Sequence, residues 1–214
     1  MLGDYDHVIS YGTDMDGCIV DGHVVEMTET LNFEWRYNGG NYKTVRTNIT
    51  GAYNLENALA AVAVGTFYGV CKADICEAIS EYSPTNSRSQ IVVTGRNRLI
   101  LDAYNANPSS MNVSIDNFAS LPGDNKTLIL GAMRELGSEQ DMQHQAIMAK
   151  IANLKIDNIY LIGDEFKPFA KQFPSFKIVS QASEILDEMS ALSNRYILIK
   201  GSRSNKLEIL VERL

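Results

Sequence analysis

The sequence predicts an α/β protein with a mainly parallel sheet in its later part, and three observations carry that prediction. Continuous apolar runs recur after residue 95, and each ends in glycine or a polar residue. Segments of helix length alternate with these runs up to residue 214. Strands that are apolar on both faces suit a parallel sheet covered by helices on both sides. The earlier part, about residues 7–50, has instead the short alternating pattern of hairpins.

The amino-terminal part reads as hairpins followed by two helices. Phe33–Tyr37 alternates large apolar with charged residues, which suits a half-buried antiparallel strand. An alanine-rich helix is predicted from Asn54 to Val70, with Gly69 ending it, and a second from Lys72 to Tyr82. A polar connector follows, so we place a domain boundary there, giving domains 1–87 and 88–214. The turn signals are Asp16-Gly17, Asp21-Gly22 and Asn38-Gly39-Gly40.

The carboxyl-terminal part reads as a Rossmann-like doubly wound domain, whose ligand is expected at the carboxyl ends of the strands. The predicted strands are Gln90–Thr94, Leu99–Leu101, Leu128–Gly131, Tyr160–Gly163 and Ile197–Gly201. The predicted helices are Ser109–Ser120, Glu139–Asn153, Asp164–Gln172, Ala182–Leu192 and Lys206–Leu214.

Composition excludes several classes of function. The 19 Lys and Arg against 26 Asp and Glu give a net charge of −7, and no basic run has interleaved aromatics, so nucleic acid is not expected as a partner. No apolar stretch is long enough to cross a membrane, and Met1–His7 lacks the features of a secretory signal, which predicts a cytoplasmic protein. Three cysteines without Cys-x-x-Cys spacing predict neither a disulfide framework nor a metal site.

The most informative segment is Leu99–Met111, where an apolar run ends on Asp102 and enters an Asn-rich helix start. Pro108 suits the first helical position and Asn107 the N-cap before it. The amide groups of that helix terminus would then face a ligand beside Asp102. An ordinary strand-to-helix turn is the alternative.

Two other strand ends carry charge. Arg134 and Glu135 follow the Leu128 strand, and Ser138 with Asp141 resembles a capping box for the helix that bears His144. Taken alone, these residues also fit a loop, a helix cap and an ordinary helical histidine.

At the third strand end, Lys200 and Arg203 precede a helix that Asn205 could cap, with Glu208 at its third position. Cations there oppose the helix dipole, and an anionic ligand would remove the conflict. A solvated basic loop is the alternative.

Asn54 and Asn57 lie three residues apart on one face of the alanine-rich helix. An amide carries both a donor and an acceptor, which suits the edge of an adenine. Helix capping explains Asn54 but not Asn57, which lies a turn inside.

With these residues together, the chain resembles the Mur ligase family, through four segments in order. They are Gly51-x-x-Asn54-x-x-Asn57, Asp102-x-Tyr104-Asn105-Ala106-Asn107-Pro108, Gly131-x-Met133-x-Glu135-Leu136-Gly137 and Lys200-Gly201-Ser202-Arg203-Ser204. The second and fourth segments resemble the branch that adds D-alanyl-D-alanine to a UDP-N-acetylmuramoyl tripeptide. One departure is Ala132, where the family usually has an aspartate.

The resemblance implies a fold of which this chain is the later part. By this resemblance, the complete family architecture has three domains in series. They are a UDP-sugar-binding domain, a central ATPase domain with a phosphate-binding loop, and a Rossmann-like domain. No Gly-x-x-x-x-Gly-Lys-Ser/Thr occurs here. Residues 1–87 therefore resemble an incomplete α+β remnant of the central domain, and residues 88–214 the whole last domain. The amino-terminal domain, most of the central domain and the family's magnesium-binding residues would be missing.

The resemblance also implies roles for particular residues. Asn57 would contact adenine, while Arg88 and Asp102 would engage the ribose or phosphates of ATP. Residues expected around the dipeptide are Tyr104, Asn105, Asn107, Ser202 and Arg203, and possible supporting residues are Asn54, Arg134, Glu135, His144 and Lys200.

The implied chemistry is amide formation that uses ATP and Mg²⁺, through phosphorylation of a substrate carboxylate. Since most of that machinery would be missing, we expect the isolated chain neither to hydrolyse ATP nor to ligate, and neither cofactor to bind it tightly. A stand-alone peptide- or nucleotide-binding module is the alternative. The hypothesis of a nicotinamide-dependent oxidoreductase has less support, because no Gly-x-Gly-x-x-Gly motif follows a predicted strand.

Overall fold

A computed structural model describes residues 8–15 and 17–214. The predicted turn residue Asp16 and the stretch Met1–His7, which was predicted to lack a secretory signal, lie outside these residues. The chain divides into two compact units, Met1–Ser83 and Pro84–Leu214, each of which is described by itself. The predicted domain boundary after residue 87 lies in the connector at the start of the second unit.

The first unit has a four-stranded sheet in the order β1-β2-β3-β4, with β1 parallel to β2 and the other pairs antiparallel. Its elements are β1 (Tyr11–Thr13), β2 (Val20–Met27), β3 (Thr30–Tyr37), β4 (Lys43–Thr50), α1 (Leu55–Phe67) and α2 (Lys72–Glu81).

The core of the first unit lies between this sheet and α1. On β3, Leu31, Phe33 and Trp35 are buried and their neighbours are partly exposed, so the predicted half-buried antiparallel strand is confirmed. Leu59 of α1 packs in the same apolar cluster. The helix ends near the predicted stop, because Gly69 adopts a left-handed φ of 75° that favours glycine.

The outer face of α1 is apolar as well. Val64, Phe67 and Tyr68 are 58%, 53% and 77% exposed and border a groove of about 410 Å³. A helix with apolar residues on both faces is typical of a buried position.

The second unit has a six-stranded sheet in the order β5-β6-β10-β7-β8-β9, in which β5 is antiparallel and all other pairs are parallel. Its strands are β5 (Gln90–Val93), β6 (Arg98–Asp102), β7 (Lys126–Gly131), β8 (Asn158–Ile162), β9 (Lys177–Val179) and β10 (Tyr196–Lys200). Its α-helices are α3 (Pro108–Ser120), α4 (Gln140–Ala152) and α5 (Leu186–Ala191). The predicted Rossmann-like sheet is confirmed.

Helices cover both faces of this sheet. α3 and α4 pack on one face in a cluster with Leu128, Leu130 and Leu198. α5 and the last helical segment pack on the other face with Ile129 and Ile199. The chain therefore leaves β6 towards one face and leaves the adjacent β10 towards the other. Such a reversal opens a crevice at the carboxyl ends of neighbouring strands.

Two predicted α-helices, one predicted turn and one strand differ from expectation. The predicted turn Asp21-Gly22 lies inside β2, where glycine allows close approach to the Glu34 carbonyl. The segment after β8 is a 3₁₀ helix, Asp164–Phe169, which contains Pro168 and therefore lacks a backbone donor. The last segment is also a 3₁₀ helix, Leu207–Arg213, and the three-residue spacing of Leu207 and Leu210 suits that geometry. The three-residue strand β9 was not predicted, because Lys177–Val179 is too short for a clear pattern.

No helix within residues 8–15 and 17–214 has the length and apolar character needed to span a membrane.

Candidate functional site

The predicted strand-end residues Asp102 and Lys200 lie side by side at the crevice between β6 and β10. They are register partners in the sheet, and Lys200 Nζ lies 2.5 Å from Asp102 Oδ2. The lysine side chain is 2% exposed and the aspartate 14%, so this is a nearly buried ion pair. Lys200 also donates to the Asn105 carbonyl at 3.5 Å, which ties β10 to the loop that follows β6.

Asp102 receives two more hydrogen bonds. Ser114 of α3 donates to Oδ2 at 3.3 Å, and the Ser89 N–H in the connector donates to Oδ1 at 3.4 Å. One carboxylate therefore joins β6, β10, α3 and the connector.

Tyr104 lies at the mouth of the crevice and is 40% exposed. Arg88 stacks over the ring with its guanidinium carbon 3.8 Å from the centroid, and the Arg203 carbon lies at 5.7 Å. The Arg203 N–H also donates to the Tyr104 carbonyl at 3.2 Å. A cavity of about 240 Å³ opens here, lined by Asn86, Ser87, Ala103, Tyr104, Arg203 and Glu208.

Ser202 is 5% exposed, and its hydroxyl has no hydrogen-bond partner among the residues that the structure describes. Burying a hydroxyl without a partner is costly, so Ser202 Oγ, like Trp35 Nε1 and Thr50 Oγ1 of the first unit, is a group that a water or a ligand could satisfy. Ser202 is the predicted dipeptide residue that shows this sign.

Two other predicted residues serve the backbone around them. Asn105 Oδ1 accepts from the Ala106 N–H at 2.9 Å. Asn107 caps α3, since its side chain accepts from the Ser110 N–H at 2.8 Å while Ser110 Oγ accepts from the Asn107 N–H at 3.2 Å. The predicted N-cap at Asn107 and first-turn proline at 108 are confirmed.

Arg134 lies in the loop that follows β7, the other neighbour of β10. It forms an ion pair with Glu165 and donates to Ser204 Oγ at 3.2 Å, which links the loops after β7, β8 and β10. Glu135 is exposed and has a left-handed φ of 63°. The predicted capping box at Ser138 is wrong: a 3₁₀ turn, Gly137–Glu139, precedes α4, and no side chain caps either element.

His144 is fully buried on α4 and both ring nitrogens have partners. Nε2 accepts from the Met133 N–H at 3.1 Å and Nδ1 lies 2.7 Å from the Gln140 carbonyl. Burial lowers the pKa of His144 below its usual value, although the Gln140 carbonyl opposes this shift. The neutral ring therefore holds the backbone that follows β7.

Asn205 does not cap the last helical segment as predicted. Its side chain is buried and donates to the Ala132 carbonyl at 2.8 Å, while Lys206, in a left-handed conformation, takes the N-cap position. Ala132 itself is fully buried, and a Cβ placed on Gly163 would come within 2.6 Å of its own Cβ. A side chain at position 163 would therefore collide with Ala132, which favours glycine there.

The asparagine pair lies in the first unit and forms a relay. Asn57 Nδ2 donates to Asn54 Oδ1 at 3.0 Å, and Asn54 Nδ2 donates to the Thr50 carbonyl at 2.8 Å. The relay fixes the orientation of the exposed Asn57 amide.

Sequence reasoning missed Ser114, Glu165 and the connector residues of the cavity. Ser114 could have been noticed, because it interrupts the apolar face of α3 between Met111 and Ile115. Glu165 lies two residues after the predicted strand Tyr160–Gly163, and this place after a strand end is the signal that could have found it. Among the described residues, no group of His, Cys, Asp or Glu side chains is arranged to hold a metal ion.

Residues 87–203 match the family model of the Mur ligase, glutamate ligase domain. This match covers more than half of the chain. The chain belongs to the Mur ligase family. The matched range begins in the connector and ends at Arg203. It therefore includes the loop after β6 and the start of the loop after β10, which border the crevice.

Individual Mur ligases agree with this result. The UDP-N-acetylmuramoyl-tripeptide--D-alanyl-D-alanine ligase of Bacillus subtilis is 34% identical over 177 residues, which are 78% of this chain and 38% of that protein. The enzyme of the same name from Escherichia coli is 29% identical over 178 residues. The chain spans about two fifths of the length of these relatives.

Solved structures of Mur ligases share the fold. A crystal structure of MurF from Acinetobacter baumannii has a TM-score of 0.83 at 26% identity, covering 95% of this chain and 46% of that one. A MurF structure from Thermotoga maritima in complex with ADP has a TM-score of 0.73 at 18% identity, covering 92% and 46%.

Proposed function

We propose that this chain is the carboxyl-terminal part of an ATP-dependent ligase that adds D-alanyl-D-alanine to UDP-N-acetylmuramoyl tripeptide in the cytoplasm. The observation that carries the proposal is the similarity to the Bacillus subtilis ligase, whose name states both the dipeptide and the acceptor. The motif forms after β6 and β10 favour the same branch of the family.

The crevice supports this proposal through its chemistry. Its loops carry a nearly buried ion pair, an exposed aromatic ring, two guanidinium groups and the unpaired Ser202 hydroxyl. A small ligand site commonly combines an apolar wall with a few convergent polar groups. A short peptide with one carboxylate and small side chains fits a cavity of this character.

The residues also fit a nucleotide, although each unit contributes separately. In the first unit, the Asn54 relay presents the Asn57 amide as adenine recognition requires. In the second unit, Arg88 is a cation without a carboxylate partner among the described residues, which suits a phosphate. ATP with Mg²⁺ would supply the phosphoryl group that activates the substrate carboxylate.

A chimaera tests the proposed function. The matched carboxyl-terminal segment of the Bacillus subtilis ligase is replaced by this chain, and formation of the pentapeptide product is measured with D-alanyl-D-alanine and with single amino acids. We expect product with the dipeptide alone, and an Asp102→Asn chimaera provides the matched comparison. A folded chimaera that binds ATP but adds no dipeptide would contradict the proposal.

The isolated chain is expected to be inactive. Incubated with ATP, magnesium and both substrates, the 214-residue chain should release no phosphate and form no product. Turnover by the chain alone would show that the residues needed for catalysis are already present in it.

A further inference from the structure

Two guanidinium groups lie beside the Tyr104 ring, and neither has a carboxylate partner in the described part of the chain. Arg88 is 3.8 Å and Arg203 is 5.7 Å from the ring centroid, and both side chains are exposed. By contrast, Arg36, Arg134 and Arg195 all form ion pairs with acidic side chains. Arg46, Arg96 and Arg213 likewise form no ion pair among the described residues, so the distinguishing feature of Arg88 and Arg203 is that both approach one ring.

The two cations come from different segments that meet at the crevice. Arg88 belongs to the connector and Arg203 to the loop after β10, and the ring that both approach belongs to the loop after β6. The cavity beside the ring is lined by Arg203 and by the connector residues Asn86 and Ser87. An oxyanion that contacts both guanidinium groups would accept charge-assisted hydrogen bonds from each of them.

We propose that Arg88, Tyr104 and Arg203 form one oxyanion clamp, in which Tyr104 is the positioning residue. The inference rests on the proposed function for the source of the oxyanion, since a nucleotide phosphate and a peptide carboxylate offer the same chemistry. The clamp revises two expected roles. Tyr104, expected to contact the dipeptide, would instead position Arg88. Arg203, also expected at the dipeptide, would bind the same oxyanion as Arg88.

The connector is shaped to deliver Arg88 to the ring. Ser87 and Ser89, on either side of Arg88, both have left-handed φ values, 57° and 49°. Residues other than glycine adopt this conformation at a cost, so the surrounding contacts must hold it. The Ser89 N–H to Asp102 hydrogen bond and the Arg88 stack on Tyr104 are two such contacts.

Glu208 distinguishes the two sources of the oxyanion. It lines the same cavity as Arg203 and has no cation partner among the described residues. A carboxylate there repels a phosphate chain, whereas it attracts the ammonium group of a peptide whose carboxylate lies at Arg203.

The test is a titration of the ¹⁵N-labelled chain, at low salt, with sodium tripolyphosphate or with D-alanyl-D-alanine. The arginine Nε–Hε signals and the amides of residues 86–89, 103–105 and 203 report binding. For whichever of the two probes binds the original chain, Arg88→Gln and Arg203→Gln should each weaken binding about tenfold. Arg213→Gln is the control, because it removes a positive charge near the amino ends of the strands, where the Arg213 carbonyl meets Arg96.

Tyr104 variants separate positioning from direct contact. Tyr104→Phe retains the ring and should bind like the original chain, with the ring-current shift of the Arg88 side chain preserved. Tyr104→Leu should abolish that shift and weaken binding about two- to fivefold, the range of an exposed cation–π contact. Equal loss in both variants would contradict the positioning role.

Glu208→Gln identifies the source of the oxyanion. Tighter tripolyphosphate binding with unchanged peptide binding supports a phosphate, and weaker peptide binding supports the peptide. If neither probe shifts the Arg88 signal, or if Arg203→Gln binds like Arg213→Gln, the clamp is overturned. An inactive chimaera whose clamp still binds tripolyphosphate would instead overturn the proposed function alone.

Discussion

At the scale of single residues, the crevice contains two kinds of polar group. The first kind forms ion pairs or hydrogen bonds within the second unit and holds its loops in place. These residues are Asp102, Lys200, Arg134 and His144. Ser202, Arg88 and Arg203 lack polar side-chain partners among the described residues. The first kind shapes the site, while the second kind is available to a ligand.

Lys200→Met should lower the free energy of unfolding by about 3 kcal/mol, because it leaves the Asp102 carboxylate nearly buried without its cation. Adding Asp102→Asn should recover part of this loss. Urea denaturation measures both variants. Lys171→Met, at an exposed lysine, is the control and should change stability by less than about 0.5 kcal/mol. A cost for Lys200→Met equal to that control would contradict the importance of the ion pair.

Ser202→Ala should leave the stability of the ligand-free chain unchanged or slightly higher, because the hydroxyl has no partner to lose. In the chimaeric ligase the same change should reduce kcat/KM about tenfold. Thermal unfolding and product formation are the two measurements. A destabilised chain with unchanged kcat/KM would show that the hydroxyl serves the fold.

His144 should make stability depend on pH. Its pKa is lowered in the folded chain, so the unfolded chain binds the proton more readily. The stabilisation is complete above the unfolded value of about 6.5 and is lost as the pH falls below it. Between pH 7.5 and 5.5 the original chain should lose about 1 kcal/mol more than His144→Gln. Urea denaturation at both values checks this, and equal losses would refute it.

At the scale of elements, α3 shows how one helix start prepares the site. Asn107 and Ser110 exchange hydrogen bonds at its N-terminus, and Ser114, one turn further, reaches back to Asp102. The helix therefore fixes both the loop after β6 and the carboxylate at the end of that strand.

Asn107→Ala should destabilise the chain by about 1 kcal/mol through loss of the α3 cap. Asn107→Ser should remain within a few tenths of the original value, since serine caps nearly as well. Chemical denaturation of the three proteins provides the comparison. If the serine variant were as unstable as the alanine variant, a contact other than the cap would have to explain the loss.

At the scale of the whole molecule, the two units differ in how their sheets are covered. The sheet of the second unit has an apolar cluster on each face. Among its described residues the first unit has one such cluster, and the outer face of α1 remains exposed. Fewer buried layers imply lower local stability.

Amide hydrogen exchange should therefore be faster in the described part of residues 8–83 than in residues 95–214. The sheet strands of each unit, measured by mass spectrometry, give the most direct comparison. Uniform protection across β2–β4 and β6–β10 would argue that the first unit is already complete in its packing.

The parts that the sequence predicted well have strong local patterns. The parallel strands, the α3 cap and the strand-end residues Asp102 and Lys200 could all be read from apolar runs and helix signals. The position of β10 between β6 and β7, which makes Asp102 and Lys200 neighbours, could not, because it depends on contacts about a hundred residues apart in the chain.

The same limit applies to the finer parts of the site. Whether Asn205 caps a helix or supports Ala132, and whether Tyr104 meets a ligand or Arg88, depends on the side chains that the folded loops bring together. Local sequence patterns do not predict which distant side chains will be in contact.

The place of β10 has a consequence for synthesis on the ribosome. Of the six strands of this sheet it is the last to emerge, yet it lies between β6 and β7 in the sheet. Until it arrives, those two strands have no common partner and must leave a gap about two strand spacings wide, roughly 10 Å. The sheet therefore closes only when nearly the whole domain has been translated, and prematurely terminated chains would display unpaired strand edges to the cell's quality control.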